Sequence, residues 1–393
     1  MERLRQIPWD ALRAEVALPA IASILRGVPA EREVERTLRA HRGLRREERR
    51  AAVEAMFGVA LWRRRLRWES GSDAPPMLLA SLLRDLAGVE ESRAVALSGA
   101  PLPPRRAPAP PPTLADRWSL PDWLEQHLVS ELGPDAEAFC AAIAVPGPVC
   151  LRANRLLCTR EQLAAALDAA GIHTRAASRA PDALVVETPQ ANLFGSQAWR
   201  AGWFELQDEG SQLLGLLVEP APGETVLDLC AGAGGKSLLL AAQGARVLAF
   251  DSDRERLGRL RARARRARAE HAIEIVDSPR VAGCVLVDAP CSELGTLRRG
   301  PDARWRIDPR SLRDFPNLQR ELLETAAPLA TRRLVYATCT VHRAENADLA
   351  DGFERDHREL RRVATWQTLP HRNGTDGFFA AVWERAPRRP SVA

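Results

Sequence analysis

Apolar positions in the second half of the chain fall into short runs: TVLDLC (225–230), ARVLAF (245–250), IEIV (273–276), GCVLV (283–287) and LVYATC (334–339). Runs of this length with no regular polar stripe are the pattern of strands buried on both faces, as in a parallel sheet covered by helices. Between them lie KSLLLAAQ, an arginine-rich stretch from Ser252, and NLQRELLETAAPLA, all with helical spacing. Strand and helix therefore alternate, which predicts an α/β fold built on a parallel sheet. VATWQTLP and GFFAAVWERA are expected to close the sheet as an antiparallel pair. One connection is short: only Ser278 to Ala282 separate Asp277 from Gly283, too few for a crossover helix. If the third and fourth strands flank the first pair, about 14 Å must be crossed sideways at ~4.8 Å per strand. The third strand is accordingly expected to be very short.

The first half reads differently. Residues 1–98 place apolar residues at intervals of three and four with arginines opposite, the mark of amphipathic helices and of a small helical domain. PLPPRRAPAPPP follows, with seven prolines in twelve positions, and proline continues neither helices nor ladders. A linker is therefore placed at 99–113. From 114 to 205, helical patterns (LPDWLEQHLVSEL, EQLAAALDAAGI) mix with short strand candidates (VCLRAN, ALVVET), predicting a small α+β module ahead of a catalytic domain at 206–388.

Composition narrows the class. The 393 residues are 46% hydrophobic and 27% charged, ordinary for a soluble globular protein, and no run is long and apolar enough to span a membrane. The start MERLRQIPWD lacks the apolar stretch of a signal peptide, so a cytoplasmic location is expected. Seven cysteines without CxxC spacing predict free thiols, no disulfide framework and no metal site. The net charge of +5 is compatible with a polyanionic partner. Of the 56 basic residues only Lys236 is lysine. A position that keeps a compact ammonium among arginines is expected to use it as a point charge.

Lys236 closes the turn CAGAGGKS. Here Gly232, Gly234 and Gly235 permit a sharp bend after a strand and close approach of a ligand. Asp251 ends the next strand, where a carboxylate can accept the hydroxyls of a ribose. The same turn differs from the phosphate loop GxxxxGK[ST] only by Cys230 in the first position, so a nucleotide triphosphatase is the competing reading. Against it stand Cys291 in VLVDAPCS and Cys339 in LVYATCT, just past two strand ends, because phosphoryl transfer needs neither thiol. Carbon 5 of a pyrimidine is a poor nucleophile. A thiolate adding to carbon 6 activates it, and a second group can assist the later elimination. If DAPCS and ATCT end neighbouring strands, their side chains can flank one unstacked base. Cys140, Cys150, Cys158 and Cys284 are expected to be small buried hydrophobes.

VLDLCAGAGGKS, VLVDAPCSELGTLRRGPDARW, LVYATCTVHRAEN and DGFFAAVWE, in this order, resemble the Sun-type RNA (cytosine-5)-methyltransferases that act on bacterial small-subunit ribosomal RNA. The resemblance extends to RWSLPDWL, LRANRL and GWFELQDEGSQL, which look like the family's module before the catalytic domain, and to a NusB-like helical RNA-binding start. It implies a Rossmann-like methyltransferase sheet with S-adenosyl-L-methionine as methyl donor and ribosomal RNA as partner. Cys339 is then the residue that adds to carbon 6, Cys291 assists product release, and Asp288 binds the cytosine and lies near the donor. Cys230, Ala231, Gly232, Ala233, Gly234, Gly235, Lys236 and Asp251 would hold the donor, with Asp277 as a third carboxylate. Gly232 and Ala233 stand where the family commonly has alanine and proline, which predicts a looser turn.

Arginines crowd 254–268 and 297–306. The first group is expected to be a solvated helix face. In the second, Arg298, Arg299, Arg304 and Trp305 follow the thiol segment and are expected to meet phosphates and a neighbouring base at the pocket mouth. A monomer is expected, and a non-catalytic RNA-binding or ribosome-assembly protein is the remaining alternative.

Overall fold

The computed structural model describes residues 2–105, 110–189 and 191–386. Residues 106–109 of the expected linker and 387–388 of the expected catalytic domain lie outside them. The chain forms two compact units, one of residues 2–146 with Leu297–Pro309, the other of residues 147–296 with 310–386.

The first unit is helical. Ala14–Leu25, Ala30–Ala40, Arg46–Ser70, Pro75–Ser81 and Glu91–Ser98 bury Ile21, Val34, Met56, Val59, Leu66, Leu79 and Ala94 in one core. The helices Leu114–Trp118, Asp122–Leu132 and Ala136–Ile143, which the sequence reading placed at the start of the α+β module, pack with this unit. Arg64 explains the attachment: it donates to Asp116 at 2.7 Å, to Asp122 at 2.5 Å and to the Leu120 carbonyl at 2.9 Å. Trp62 and Trp118 pack alongside, with ring centroids 6.3 Å apart.

The second unit holds two sheets. The smaller is antiparallel, made of β1 (Cys150–Ala153), β2 (Thr174–Ala176), β3 (Ala183–Val186) and β4 (Phe204–Leu206) in the order β2-β3-β1-β4. The larger comprises β5 (Thr225–Asp228), β6 (Arg246–Ala249), β7 (Ile273–Ile275), β8 (Ala282–Asp288), β9 (Ala330–Thr338), β10 (Leu360–Thr368) and β11 (Phe378–Arg385). Its order is β10-β11-β9-β8-β5-β6-β7. The strands from β7 to β9 are parallel, and β10 and β11 are the antiparallel closing pair. This is the Rossmann-like arrangement expected from the alternation of strand and helix.

Each central strand buries both faces, as its unbroken apolar pattern requires. Val226, Leu286, Val335 and Val382 face one core, while Leu227, Val285, Val287, Leu334 and Tyr336 face the other. At roughly 1.5–3 kcal/mol per large apolar side chain withdrawn from water, this double burial fixes the register. The carboxyl ends of β5, β6, β8 and β9 are thereby held along one edge of the sheet. β5 and β6 lie between β7 and β8, and the six residues linking those outer strands leave β7 only three residues long, as the reach argument predicts.

Candidate active site

Along that edge a cavity of about 650 Å³ opens, lined by Asp228, the turn residues 230–233, Gly235 and Lys236, then Asp251, Asp288, Cys291, Glu293 and Cys339. The turn leaves β5 directly. Gly234 sits at φ +84° with a Cβ position 2.0 Å from Leu260, so conformation and space both demand glycine there. Asp251 does not point freely into the cavity. One of its oxygens accepts from the Gly232 amide at 2.8 Å and the other from Asp253 at 2.8 Å, so it stitches the turn to the end of β6 while keeping lone pairs for a ligand.

The turn is also braced from outside. Arg263 donates to the Ala233 carbonyl at 2.7 Å and pairs with Glu205 at 2.9 Å. Arg152 of β1 donates to the Gly235 carbonyl at 2.9 Å and to Gln207. These bonds stiffen a turn that its glycine and alanine alone would leave loose. The 254–268 stretch is otherwise the expected solvated face, with Arg254, Arg256, Arg259, Arg261, Arg265 and Arg268 exposed, but Arg263 and Arg266 turn inward onto Glu205, which is buried.

Asp228, a polar residue inside the apolar run TVLDLC, is a site residue that the sequence reading passed over. Its Oδ2 accepts from Ser237 at 2.6 Å, whereas Oδ1 is buried without a partner on the cavity wall. Burial, more than the nearby Asp288 and Asp251 charges, pushes this carboxyl up to about 7. The folded state therefore holds a proton on Asp228 between about pH 4 and 7 where the unfolded chain does not. The resulting stabilisation is full below about pH 4 and is lost as the pH rises through about 7. Asp228→Asn should remove that slope, on the order of a few kcal/mol across the interval. Urea unfolding of the free protein at pH 4.5 and 7.5 is the measurement. An unchanged slope in the variant would contradict the assignment.

Lys236 Nζ meets Asp288 Oδ2 at 2.6 Å. Burial acts to lower the ammonium pKa, yet the Asp288 charge and hydrogen bond outweigh it and hold the pKa above its ordinary value. An ammonium committed to the end of β8 is not arrayed over the turn as a phosphate loop would have it.

Asp288 ends β8, Thr338 ends β9, and the two strands are neighbours with Asp288 opposite Ala337. Three residues past the first end and one past the second, the Cys291 and Cys339 sulfurs lie 3.3 Å apart as free thiols. The hydrogen bond to Cys291, then burial and the Glu293 and Asp288 charges, push the Cys339 thiol well above its ordinary range. Glu293 itself adopts φ +57°, a left-handed conformation that costs a residue with a Cβ about 1 kcal/mol. Two residues on, Gly295 donates to the Cys339 carbonyl at 3.0 Å and accepts from Gly377 at 2.9 Å. A Cβ at Gly295 would lie 2.1 Å from the Gly377 carbonyl, so only glycine lets the thiol loop lie this close to β11.

Several expected site residues fall elsewhere. Asp277 is 90% exposed and pairs with Arg254 at 2.7 Å outside the cavity lining, because β7 stops two residues earlier. Arg304 cannot reach a phosphate. It is completely buried in the first unit, where it donates to the carbonyls of Trp118 at 3.1 Å and Ile143 at 2.9 Å, and burial lowers its pKa to about 10. Trp305 donates to the Ala60 carbonyl at 2.9 Å beneath the Arg63 guanidinium. Arg298 and Arg299 line a separate cavity of about 280 Å³ in the first unit, beside Phe57, Leu61 and Trp62.

Comparison with known proteins agrees with this geometry. The family model described as 16S rRNA methyltransferase RsmB/F matches residues 215–384, and its ferredoxin-like domain model matches 120–192. The ribosomal RNA small subunit methyltransferase B of Serratia proteamaculans is 33% identical over 67% of this chain and 66% of its own length. A probable ribosomal RNA small subunit methyltransferase B of Synechocystis is 30% identical over 70% of this chain and 68% of its own. The chain thus spans about two thirds of the curated relatives it matches. Among solved structures, PH0851 superposes with a TM-score of 0.77 at 24% identity, covering 97% of this chain and 99% of its own. NSun6 from Pyrococcus horikoshii with SFG gives 0.61 at 17% identity, covering 68% of this chain and 98% of its own. Among the described residues no helix is long and apolar enough to cross a membrane. On the strength of the matched sequence and the methyltransferase sheet that carries it, the chain belongs to the 16S rRNA methyltransferase RsmB/F family.

Proposed function

We propose that this protein is an S-adenosylmethionine-dependent RNA methyltransferase that modifies carbon 5 of a cytosine in 16S ribosomal RNA through a covalent adduct at carbon 6. The observation that carries the reading is the 3.3 Å contact of the Cys291 and Cys339 sulfurs in the cavity that also holds Asp288, Lys236 and the glycine turn. The cavity suits the donor: the unpartnered Asp228 oxygen matches an ammonium group, and Asp251 beside the turn matches ribose hydroxyls. When bound, the donor supplies an electrophilic methyl carried on a sulfonium.

The protein residues then divide the remaining work. Cys339 gives its proton to water in the open cavity and forms a sulfur–carbon bond at carbon 6, displacing an electron pair onto carbon 5. Asp288 accepts a hydrogen bond from the exocyclic amine, and Lys236, 2.6 Å from its Oδ2, keeps that carboxylate aimed. After methylation water in the cavity takes the carbon 5 proton, its electron pair restores the ring double bond, and the bond to Cys339 breaks with its pair returning to sulfur. Cys291, in contact with that sulfur, assists this elimination.

Bisulfite sequencing of total RNA from cells with and without the gene is the direct test. One protected cytosine in 16S RNA should lose its protection when the gene is absent. An unchanged pattern, together with no donor binding to the purified full chain by calorimetry, would refute the proposal.

A further inference from the structure

The two sulfurs come from loops 48 residues apart, and nothing in the sheet alone dictates that they touch. The structure assigns the spacing to Glu345, which we propose as the positioning residue that holds the thiol pair in contact. Its catalytic consequence rests on the function proposed above. Glu345 follows β9 and is completely buried. Its Oε2 accepts from the Ser292 amide at 3.0 Å and from Gln319 Nε2 at 2.8 Å, and its Oε1 accepts from the Ser292 hydroxyl at 2.5 Å. Ser292 is the residue after Cys291. Its hydroxyl also contacts the Thr340 hydroxyl at 2.7 Å, and Thr340 is the residue after Cys339. The carboxylate thus grips the neighbour of Cys291 directly and, through the Ser292 hydroxyl, reaches the neighbour of Cys339.

The grip is anchored on every side. Gln319, besides meeting Glu345, donates to the Pro290 carbonyl at 2.8 Å, the residue before Cys291. Tyr336 donates to the Glu345 carbonyl at 2.6 Å, and Asn346 bridges Thr338 and the Thr340 carbonyl at 2.6 and 3.0 Å. Three donors converge on a carboxylate that water does not reach, and burial raises its pKa. Such a network has one satisfied arrangement, so the loops that carry the sulfurs inherit one geometry.

Substitution separates this role from bulk stability. In Glu345→Gln the amide can take the Oε1 place, with the Ser292 hydroxyl turning to accept from it, and the remaining oxygen still accepts from the Ser292 amide and Gln319. Glu345→Ala leaves the Ser292 amide without its acceptor and takes one bond each from the Ser292 hydroxyl and Gln319, which keep only Thr340 and the Pro290 carbonyl.

The test uses phenylarsine oxide, in which arsenic(III) exchanges its oxide for two thiol sulfurs and releases water without oxidation or reduction. Two sulfurs already in contact bind it without reorganisation, so the full-length protein should hold it tightly and Cys291→Ala should not. Glu345→Ala should bind about tenfold more weakly or worse, whereas Glu345→Gln should stay within about threefold of the parent, since preorganisation is what the variant removes. With donor and RNA, Glu345→Ala should also build up the covalent complex, because release depends on the second sulfur while donor affinity by calorimetry is unchanged. Parental arsenical affinity in a folded Glu345→Ala overturns the proposal. If that variant fails to fold, Ser292→Ala decides, with parental affinity again the overturning result. Should no RNA be methylated at all, the functional reading falls while the arsenical measurement still judges the positioning role.

Discussion

Cys291→Ala, given donor and substrate RNA, is expected to accumulate a covalent protein–RNA complex that survives denaturing electrophoresis, whereas Cys339→Ala should form neither complex nor product. The sulfurs are 3.3 Å apart, so distance alone does not tell the attacking thiol from the assisting one. Position does. Cys339 leaves the rigid end of β9 after a single residue, and its own amide donates to the Cys291 sulfur at 3.4 Å. Cys291 rides on the Ala289–Glu293 loop three residues past β8. The attacking atom must be held to a fraction of an ångström against the ring, which favours the strand-borne thiol. Loss of the nucleophile should lower turnover at least about 1000-fold. Loss of the assisting thiol should stop turnover after one adduct per chain. The mirror pattern, with trapping by Cys339→Ala, would reverse the two roles.

Arg304→Met should lower the stability of the first unit by about 3 kcal/mol, read by urea unfolding of the full chain, because the carbonyls of Trp118 and Ile143 lose a charged donor where water cannot replace it. Arg304→Lys should recover little, since one ammonium cannot fork to two carbonyls as a guanidinium does. RNA affinity of whatever remains folded should keep the parental salt dependence. A residue touching phosphate would instead reduce the slope of affinity against salt by about one. A shallower slope with unchanged stability would restore Arg304 to the RNA surface.

Parts of the site were readable because chemistry was written into the hydrophobic pattern. Asp288, Cys291 and Cys339 interrupt or end apolar runs, and such runs become neighbouring central strands whose carboxyl ends share one edge. The brevity of β7 followed from chain reach alone. Asp277 was misplaced for the same reason: on a three-residue strand it lies past the sheet edge and finds Arg254 instead. Arg304 was unreadable in a stronger sense. Its partners are main-chain carbonyls 161 and 186 residues distant, and a carbonyl leaves no mark in a sequence. Arg152 and Arg263 likewise grip the backbone of the glycine turn. Asp228 did leave a signal, a lone carboxylate inside a buried strand, and reading that misfit as function would have found it.

The chain passes from one unit to the other three times, at 146, at 296 and at 309. Leu297–Pro309 is thus a peninsula of the helical unit inserted into the sequence of the catalytic one, beginning two residues after Gly295. Gene surgery that removes the amino-terminal helices does not yield a trimmed enzyme. It exposes a tether whose buried Arg304 and half-buried Trp305 have lost their carbonyl partners, and it does so within six residues of Cys291. The two units are therefore stitched together at more than one point along the sequence.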